Sequence, residues 1–157
     1  MAGGFELDGF IPYRLNRASE LISLSFARQY KEEFDLTRPE WRTLAALGSV
    51  GVMTAKDIGA HSHMHKTKVS RAVHALEQRH WLKRVPSDID RRFEQIELTA
   101  LGRQYYQKIT VLAQKYQETV RLMLGEEAIR QLDLALQAIE ASAGLRRKSS
   151  DYDPLNG

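Results

Sequence analysis

The sequence predicts a mainly α-helical fold that carries one small β-hairpin. Apolar residues recur at spacings of three and four through most of the 157 residues, which is the period of amphipathic helices. Alternation of apolar and charged residues occurs in one short region, 82–98, around a turn-rich charged loop. The length suits one domain, so residues 1–157 are predicted to form a single domain.

The first two helices follow from apolar spacing and a capping signal. A long helix is predicted from Pro12 to Phe34, within residues 11–35, because proline suits a first turn and one helical face is apolar. Thr37 with Glu40 three residues later is a capping box, which predicts the start of a second helix. Thr54 begins a short third helix, and a turn is predicted from Gly59 to His65.

A fourth helix is predicted from Lys66 to His80, with a buried stripe of Val69, Val73 and Leu76. Polar and basic side chains lie off that stripe. Two short strands, 82–85 and 93–98, follow, and the charged loop 86–92 joins them as a hairpin.

The C-terminal part of the chain is predicted to be helical. A helix capped by Thr99 reaches about Leu124, with apolar residues at heptad-like steps, and another helix starts at Glu126. The apolar seam is either a dimer contact or part of the core of one protomer, and we expect the dimer. Helices within 11–35 and 99–143 would then form the dimer, and the polar tail 144–157 is expected to be mobile.

The order of short helix, turn, helix, strand, charged loop and strand across residues 37–98 predicts a winged helix-turn-helix. Charge supports a polyanionic partner: between His61 and Arg92 the net charge is +5, whereas the rest of the chain carries −2. A basic helix fits the major groove of DNA, and an arginine at a thin hairpin tip fits the minor groove. The alternative is that these charges are only a solvated surface, or that they bind an acidic protein.

Two segments resemble the MarR family of bacterial transcriptional regulators. They are LTRPEWRTLAAL, from Leu36, and TAKDIGAHSHMHKTKVSRAVHALEQRHWLKRVPSDIDRRFEQIELTALGR, which ends at Arg103. The resemblance implies a homodimer that represses promoters with pseudo-palindromic operators and is released by a small ligand. His80-Trp81 departs from the family pattern, in which glycine often ends this helix.

Site residues are carried over from this resemblance. Those expected to contact double-stranded DNA are Lys66, Thr67, Lys68, Ser70, Arg71, His74, Asp90, Arg91 and Arg92. Among them, Arg92 would enter the minor groove, Asp90 would orient it, and Arg91 would assist at the phosphate backbone. Relatives bind ligands between the first, second and fifth helices, so Tyr13, Arg17, Trp41 and Arg42 are expected to bind a small effector, such as an aromatic carboxylate. Trp41 has core packing as its alternative role.

Other functions are disfavoured by what the sequence lacks. It has no cysteine, no Gly-rich phosphate loop, no HExxH and no GxSxG, so we expect no enzyme, no cofactor and no thiol sensing. His61, His63 and His65 leave open a metal- or pH-responsive regulator, although the spacing favours a polar turn without metal. No signal peptide or membrane span is recognised, so a cytoplasmic location without a membrane partner is expected.

Overall fold

The computed structural model describes residues 4–90 and 92–147, with side chains described through Ser142. A short 3-10 turn, Leu7–Gly9, precedes the labelled elements. These are α1 (Ile11–Phe34), α2 (Arg38–Val50), β1 (Met53–Thr54), α3 (Ala55–Ser62), α4 (Lys66–Gln78), β2 (Leu82–Pro86), β3 (Glu94–Leu98), α5 (Ala100–Leu124) and α6 (Glu126–Arg147). The prediction of a mainly α fold with a winged helix-turn-helix is confirmed. None of the helices described is long and apolar enough to cross a membrane.

The chain divides into two compact units, Met1–Leu112 and Ala113–Gly157, and the division falls within α5. The first unit contains the winged helix-turn-helix, α1 and the first half of α5. The second contains the rest of α5 and α6. That residues 1–157 act as one domain stays a prediction.

Local capping fixes the starts of α2 and α3 as predicted. Thr37 Oγ1 accepts a hydrogen bond from the Glu40 backbone N–H, and the Glu40 carboxylate accepts one from the Thr37 N–H (3.0 Å). Thr54 and Asp57 form the same reciprocal box. The Asp57 carboxylate also accepts a hydrogen bond from the Thr54 hydroxyl at 2.7 Å, and this bond, followed by the one from the Thr54 N–H, lowers the pKa of Asp57. Two orphan N–H donors are thereby satisfied at each helix start.

The predicted two-stranded hairpin was incomplete, because the sheet has three antiparallel strands in the order β1-β3-β2. Met53 pairs with Ile96 and Thr54 with Gln95, so β1 adds to the outer side of β3. β1 has only two residues, too few to show the alternation by which strands are recognised in a sequence.

The predicted turn from Gly59 to His65 was wrong at its start, because α3 continues to Ser62. Gly59 is buried inside the helix, where a Cβ would lie 3.0 Å from the Met64 carbonyl oxygen. Its small size therefore serves close packing rather than a turn. The turn begins at His63, which adopts a left-handed conformation with φ of 50°.

The core of the first unit lies between α2, α3, α4 and the sheet. Leu44, Leu47, Ile58, Val69 and Leu76 are fully buried there. Aromatic rings extend this core, since Tyr105 of α5 stacks on Trp81 with centroids 4.1 Å apart and meets Phe34 of α1 edge-on. The recognition elements therefore rest on a rigid apolar base.

The predicted seam of α5 has two different environments. In the first unit Ile109 is fully buried, and Tyr105 and Leu112 pack against the same core, so this part of the seam serves the protomer itself. In the second unit Val120 is buried, whereas Met123 is 68% exposed. The predicted tail boundary was also wrong, because α6 runs past residue 144 to Arg147; residues 148–157 lie outside the described residues.

The end of α4 is tight although it lacks the family's glycine. His80 takes the left-handed conformation with φ of 59°, and the Trp81 N–H donates to the Leu76 carbonyl at 3.0 Å. This bond, between residues five positions apart, is that of a Schellman cap. Glycine usually occupies the left-handed position of such a cap because it has no Cβ. The end of α4 is therefore closed by this cap even though His80 stands where the family often has glycine.

Candidate nucleic-acid interface

The faces of α4 separate its buried and exposed side chains cleanly. Val69, Ala72, Val73 and Leu76 are buried, and this stripe fixes the rotation of the helix against the core. The predicted interface residues of α4 are exposed: Lys66, Thr67, Lys68, Ser70, Arg71 and His74. Amphipathicity thus leaves a polar face free to meet a groove.

The start of α4 is fixed by a histidine. The Nδ1 atom of His65 accepts a hydrogen bond from the Thr67 backbone N–H at 3.2 Å, so His65 is the N-cap. Acceptance requires an unprotonated Nδ1 atom, and the cap satisfies one orphan donor of the first turn. The sequence analysis missed this role because histidine is not a typical capping residue.

Lys66 and Arg71 make no ion pair with any residue that the structure describes. Thr67, Ser70, Arg71 and His74 lie close together around the helix axis at about 100° per residue. Lys68 lies about 100° further round than Thr67, at the margin between this face and the buried stripe. It is thus at the edge of the predicted interface rather than its centre.

The wing presents one arginine that is both exposed and held. The Arg92 guanidinium binds the Asp90 carboxylate through two hydrogen bonds of 3.1 Å, and the Arg92 N–H donates to the same carboxylate at 3.0 Å. The Arg92 side chain remains 86% exposed. The bonds to Arg92 lower the pKa of Asp90, so its carboxylate is charged at neutral pH. Arg91, predicted to assist, lies outside the described residues.

Ser87 shapes the loop that carries this pair. Its hydroxyl oxygen accepts hydrogen bonds from the N–H groups of Ile89 and Asp90, both at 3.3 Å. The Phe93 N–H closes the loop by donating to the Asp90 carbonyl at 3.1 Å. Ser87 and Asp90 are thus held by short-range bonds, which are typical of serine and aspartate in turns.

Three other basic residues of the charged window have internal partners. Lys83 pairs with Glu97 on the neighbouring strand at 2.9 Å. Arg84 bridges Glu94 at 2.9 Å and Glu77 at 3.2 Å, which ties the wing to the end of α4. Arg79 donates to the Phe34 and Asp35 carbonyls at 2.7 and 2.6 Å and so caps the end of α1. The net charge of this window therefore overstates the charge that is free for a partner.

The four residues predicted to bind an effector are not all brought together. Trp41 and Arg42 line a cavity of about 450 Å³ with Tyr106, His61 and Ser62. Tyr13 and Arg17 do not line this cavity; the Arg17 guanidinium lies 5.6 Å from the Tyr13 ring and 3.5 Å from Asp8. The resemblance predicted which helices line the pocket. It did not predict which side chains of each helix face the pocket, because the rotation of a helix depends on packing.

Trp41 packs against other aromatic rings, and it also borders a cavity. Its ring lies edge-on to Phe26 at 5.4 Å and near-parallel to Tyr30 at 5.8 Å, so one face packs in an aromatic cluster. It is nevertheless only half-buried, and it borders the same cavity as Arg42. Burial in this cluster raises the pKa of Tyr30.

The histidines do not form a metal centre in the parts of the chain that the structure covers, since no three His, Asp or Glu side chains there are grouped suitably. His65 caps α4, and Asp57 is engaged by the capping box of α3. The metal-responsive alternative therefore has no geometric support.

Comparison with known proteins shows which family the helix-turn-helix region resembles. The sequence model of the MarR family matches residues 34–92, which include α2, α3, α4, the first wing strand and the loop to Arg92. A curated relative, the uncharacterised HTH-type transcriptional regulator YwoH of Bacillus subtilis (strain 168), is 28% identical over 106 residues. Those residues cover 68% of this chain and 76% of that protein.

Over residues 34–92 the chain matches the MarR family.

Solved structures show that this chain shares a winged-helix fold with known regulators over most of its length. BpsR of Bordetella bronchiseptica has a TM-score of 0.75 at 18% identity, covering 88% of this chain and 99% of that one. NadR has a TM-score of 0.71 at 20% identity, covering 88% of this chain and 95% of that one. These structures show the shared fold. The family that matches residues 34–92 and the curated relative are transcriptional regulators, not enzymes.

Proposed function

We propose that this regulator is a homodimeric repressor that reads a pseudo-palindromic operator. The observation that carries the proposal is Arg92, 86% exposed at the wing tip and held there by Asp90, beside an α4 face whose cations Lys66 and Arg71 have no described acidic partner. α4 enters the major groove and the wing enters the adjacent minor groove.

The proposed contacts divide by role. Arg71 and His74 read base edges, and Thr67 and Ser70 bind bases or phosphates through their hydroxyl groups. Lys66, Lys68 and Arg91 contact phosphates, Arg92 occupies the minor groove, and Asp90 orients Arg92 without touching DNA. Arginine at a narrow minor groove is attracted by the focused negative potential.

The homodimer accounts for apolar surface that a single protomer leaves exposed. Ile11 and Leu15 on α1 are 67% and 40% exposed and border one shallow apolar cavity. In the second unit, Leu134, Leu136 and Ile139 of α6 are also exposed. Contiguous exposed apolar side chains mark protein contacts, and a two-fold dimer matches a two-fold operator.

The proposed effector is a small aromatic acid in the cavity beside Trp41 and Arg42. The volume of about 450 Å³ lies in the range of small-molecule sites, and an arginine beside an aromatic ring suits a planar anion. Among the structural neighbours, NadR is described in complex with 4-hydroxyphenylacetate, and DNA binding by BpsR as regulated by 6-hydroxynicotinic acid. Tyr13 and Arg17 of α1 do not line this cavity, so they remain proposed effector contacts only as a separate contribution from α1.

The DNA-binding proposal is tested by selecting bound sequences from a random pool and measuring affinity at fixed salt. Arg71→Ala and Arg92→Ala should each lose about 5- to 150-fold, the range of a specific base contact. Lys83→Ala, which removes an exposed lysine already paired with Glu97, is the matched control and should stay near wild type. Full affinity in both arginine variants would contradict the assignment.

The effector proposal is tested with 4-hydroxyphenylacetate and 6-hydroxynicotinate as probes. Either acid should release the selected DNA from the wild type, and Arg42→Gln should reduce that release about tenfold, because the cation facing the carboxylate is lost. Arg17→Gln is the comparison on α1. An equal response in wild type and Arg42→Gln would exclude the cavity beside Trp41.

A further inference from the structure

A second cavity, of about 420 Å³, lies in the first unit where α1 and the start of α2 approach the start of α4. Its lining includes Asn16 and Ser19 from α1, Arg42 from α2, His63 and His65 from the turn, and Lys68 from α4. It is distinct from the cavity beside Trp41, with which it shares only Arg42. The DNA contacts proposed above do not require these residues to enclose a cavity.

The charges around this cavity are unbalanced. Arg38 and Glu20 neutralise each other through two contacts of 3.0 Å, and Glu20 is the acid among the lining residues. Arg42 and Lys68 make no ion pair with the described part of the chain. The first turn of α4 also lies beside the cavity, and the positive end of its helix dipole adds to the attraction for an anion.

The chemistry of the lining selects the type of anion. Most of the lining groups are polar or cationic, and Met64 and Pro39 are its apolar members. An aromatic ring would find little apolar surface there, unlike beside Trp41. The two cations that form no ion pair with a described residue, Arg42 of α2 and Lys68 of α4, instead suit a compact molecule with two or more negative charges.

We propose that this cavity binds a compact small polyanion, a phosphorylated or polycarboxylate molecule, between Arg42 of α2 and Lys68 of α4. Lys68 lies at the margin of the DNA-facing side of α4, so an anion bound there draws its ammonium group away from a DNA phosphate. DNA and polyanion therefore compete for one lysine. This competition rests on the proposed operator binding, whereas binding of the polyanion itself does not.

Calorimetry on the DNA-free protein tests the site, with pyrophosphate and citrate as separate probes at constant ionic strength. Asn16→Asp adds a negative charge to the lining at constant side-chain shape and should weaken the preferred probe about tenfold. Asn16→Ala should bind within about twofold of wild type. Gln104→Glu adds the same charge on an exposed position of α5 that does not line the cavity, and should also bind normally.

Operator binding then tests the coupling. The preferred probe should release DNA from the wild type more than chloride does at equal ionic strength. Lys68→Gln should bind DNA more weakly, with a log–log salt slope smaller by about one, and should lose most of the probe response.

Three results would overturn the proposal. The first is that neither probe binds, and the second is that the wild type and Asn16→Asp bind the probe equally well. The third is that, with no probe present, Asn16→Asp loses as much DNA affinity as Lys68→Gln. The last would mean that the cavity holds a DNA phosphate. If the wild type selects no DNA, operator binding fails, while the calorimetric result still decides whether the anion site exists.

Discussion

At the residue scale, what distinguishes Arg92 from the other basic residues is the partner that each one has. Lys83, Arg84 and Arg79 are bound to acids or carbonyls within the protein, and these bonds hold the wing, α4 and α1 together. Arg92 is bound to Asp90 as well, but this pair lies at a tip where the guanidinium stays exposed. A neighbouring carboxylate restricts the arginine rotamers before binding, which reduces the entropy lost on reaching DNA.

Asp90→Ala should therefore weaken operator binding although it removes no proposed DNA contact. We expect a loss of about 3- to 30-fold, the upper value corresponding to full rotamer freedom of the arginine. Asp88→Ala removes the same charge from the same exposed loop without breaking the pair, so it corrects for reduced repulsion of DNA. Equal affinities for the two variants in a shift assay would refute an orienting role for Asp90.

The same pair sets a pH expectation. Because the pKa of Asp90 is lowered, the ordering of Arg92 is complete above the ordinary carboxyl range and is lost only as the pH falls through the lowered value. The Asp90→Ala penalty should thus stay constant between about pH 6 and 8. A penalty that shrinks over this interval, measured at fixed salt, would contradict the assigned pair.

At the element scale, short-range signals were reliable where a side chain reaches its own helix end. The boxes at Thr37 and Thr54 predicted two helix starts correctly. The sequence failed where an element depends on a distant partner, since β1 exists because β3 pairs with it. It also misread Gly59, which predicted a turn although the residue serves close packing inside α3. The pairing of β1 is not visible within a local window of sequence.

His80→Gly should stabilise the protein by about 0.5–1 kcal/mol, because glycine adopts φ of 59° without the steric cost of a Cβ but loses more entropy on folding. Chemical denaturation of the purified protein measures this change. His80→Ala, which keeps the Cβ, is the matched variant and should not be more stable than wild type. A glycine variant no more stable than the alanine variant would show that the left-handed residue carries no cost.

At the scale of the whole molecule, the proposed dimer follows from apolar side chains that one protomer does not cover. The C-terminal half of α1 packs on the core through Phe26, Tyr30 and Phe34, whereas Ile11 and Leu15 at its other end are exposed. One helix thus contributes to two different surfaces along its length.

Leu15→Arg should convert the dimer to monomer and reduce operator affinity, because both half-sites must be bound together. Leu24→Arg is the matched control: the exposed fractions are 40% and 43%, and the two side chains lie on opposite faces of α1, about 180° apart. Sedimentation at micromolar concentration distinguishes the states. A dimer that persists in Leu15→Arg would exclude this face of α1 from the contact.

The sequence by itself determined the class of the fold, the order of its elements and the helix that carries the basic face, because periodicity and capping act within a few residues along the chain. It also pointed to Asp90 and Arg92, whose pairing is local. Tertiary structure alone decided which cations are free, since Arg79, Lys83 and Arg84 find partners on other elements. It likewise decided that Arg42 lines one cavity with Lys68 and another with Trp41, because the apolar face that each helix packs against the core sets its rotation.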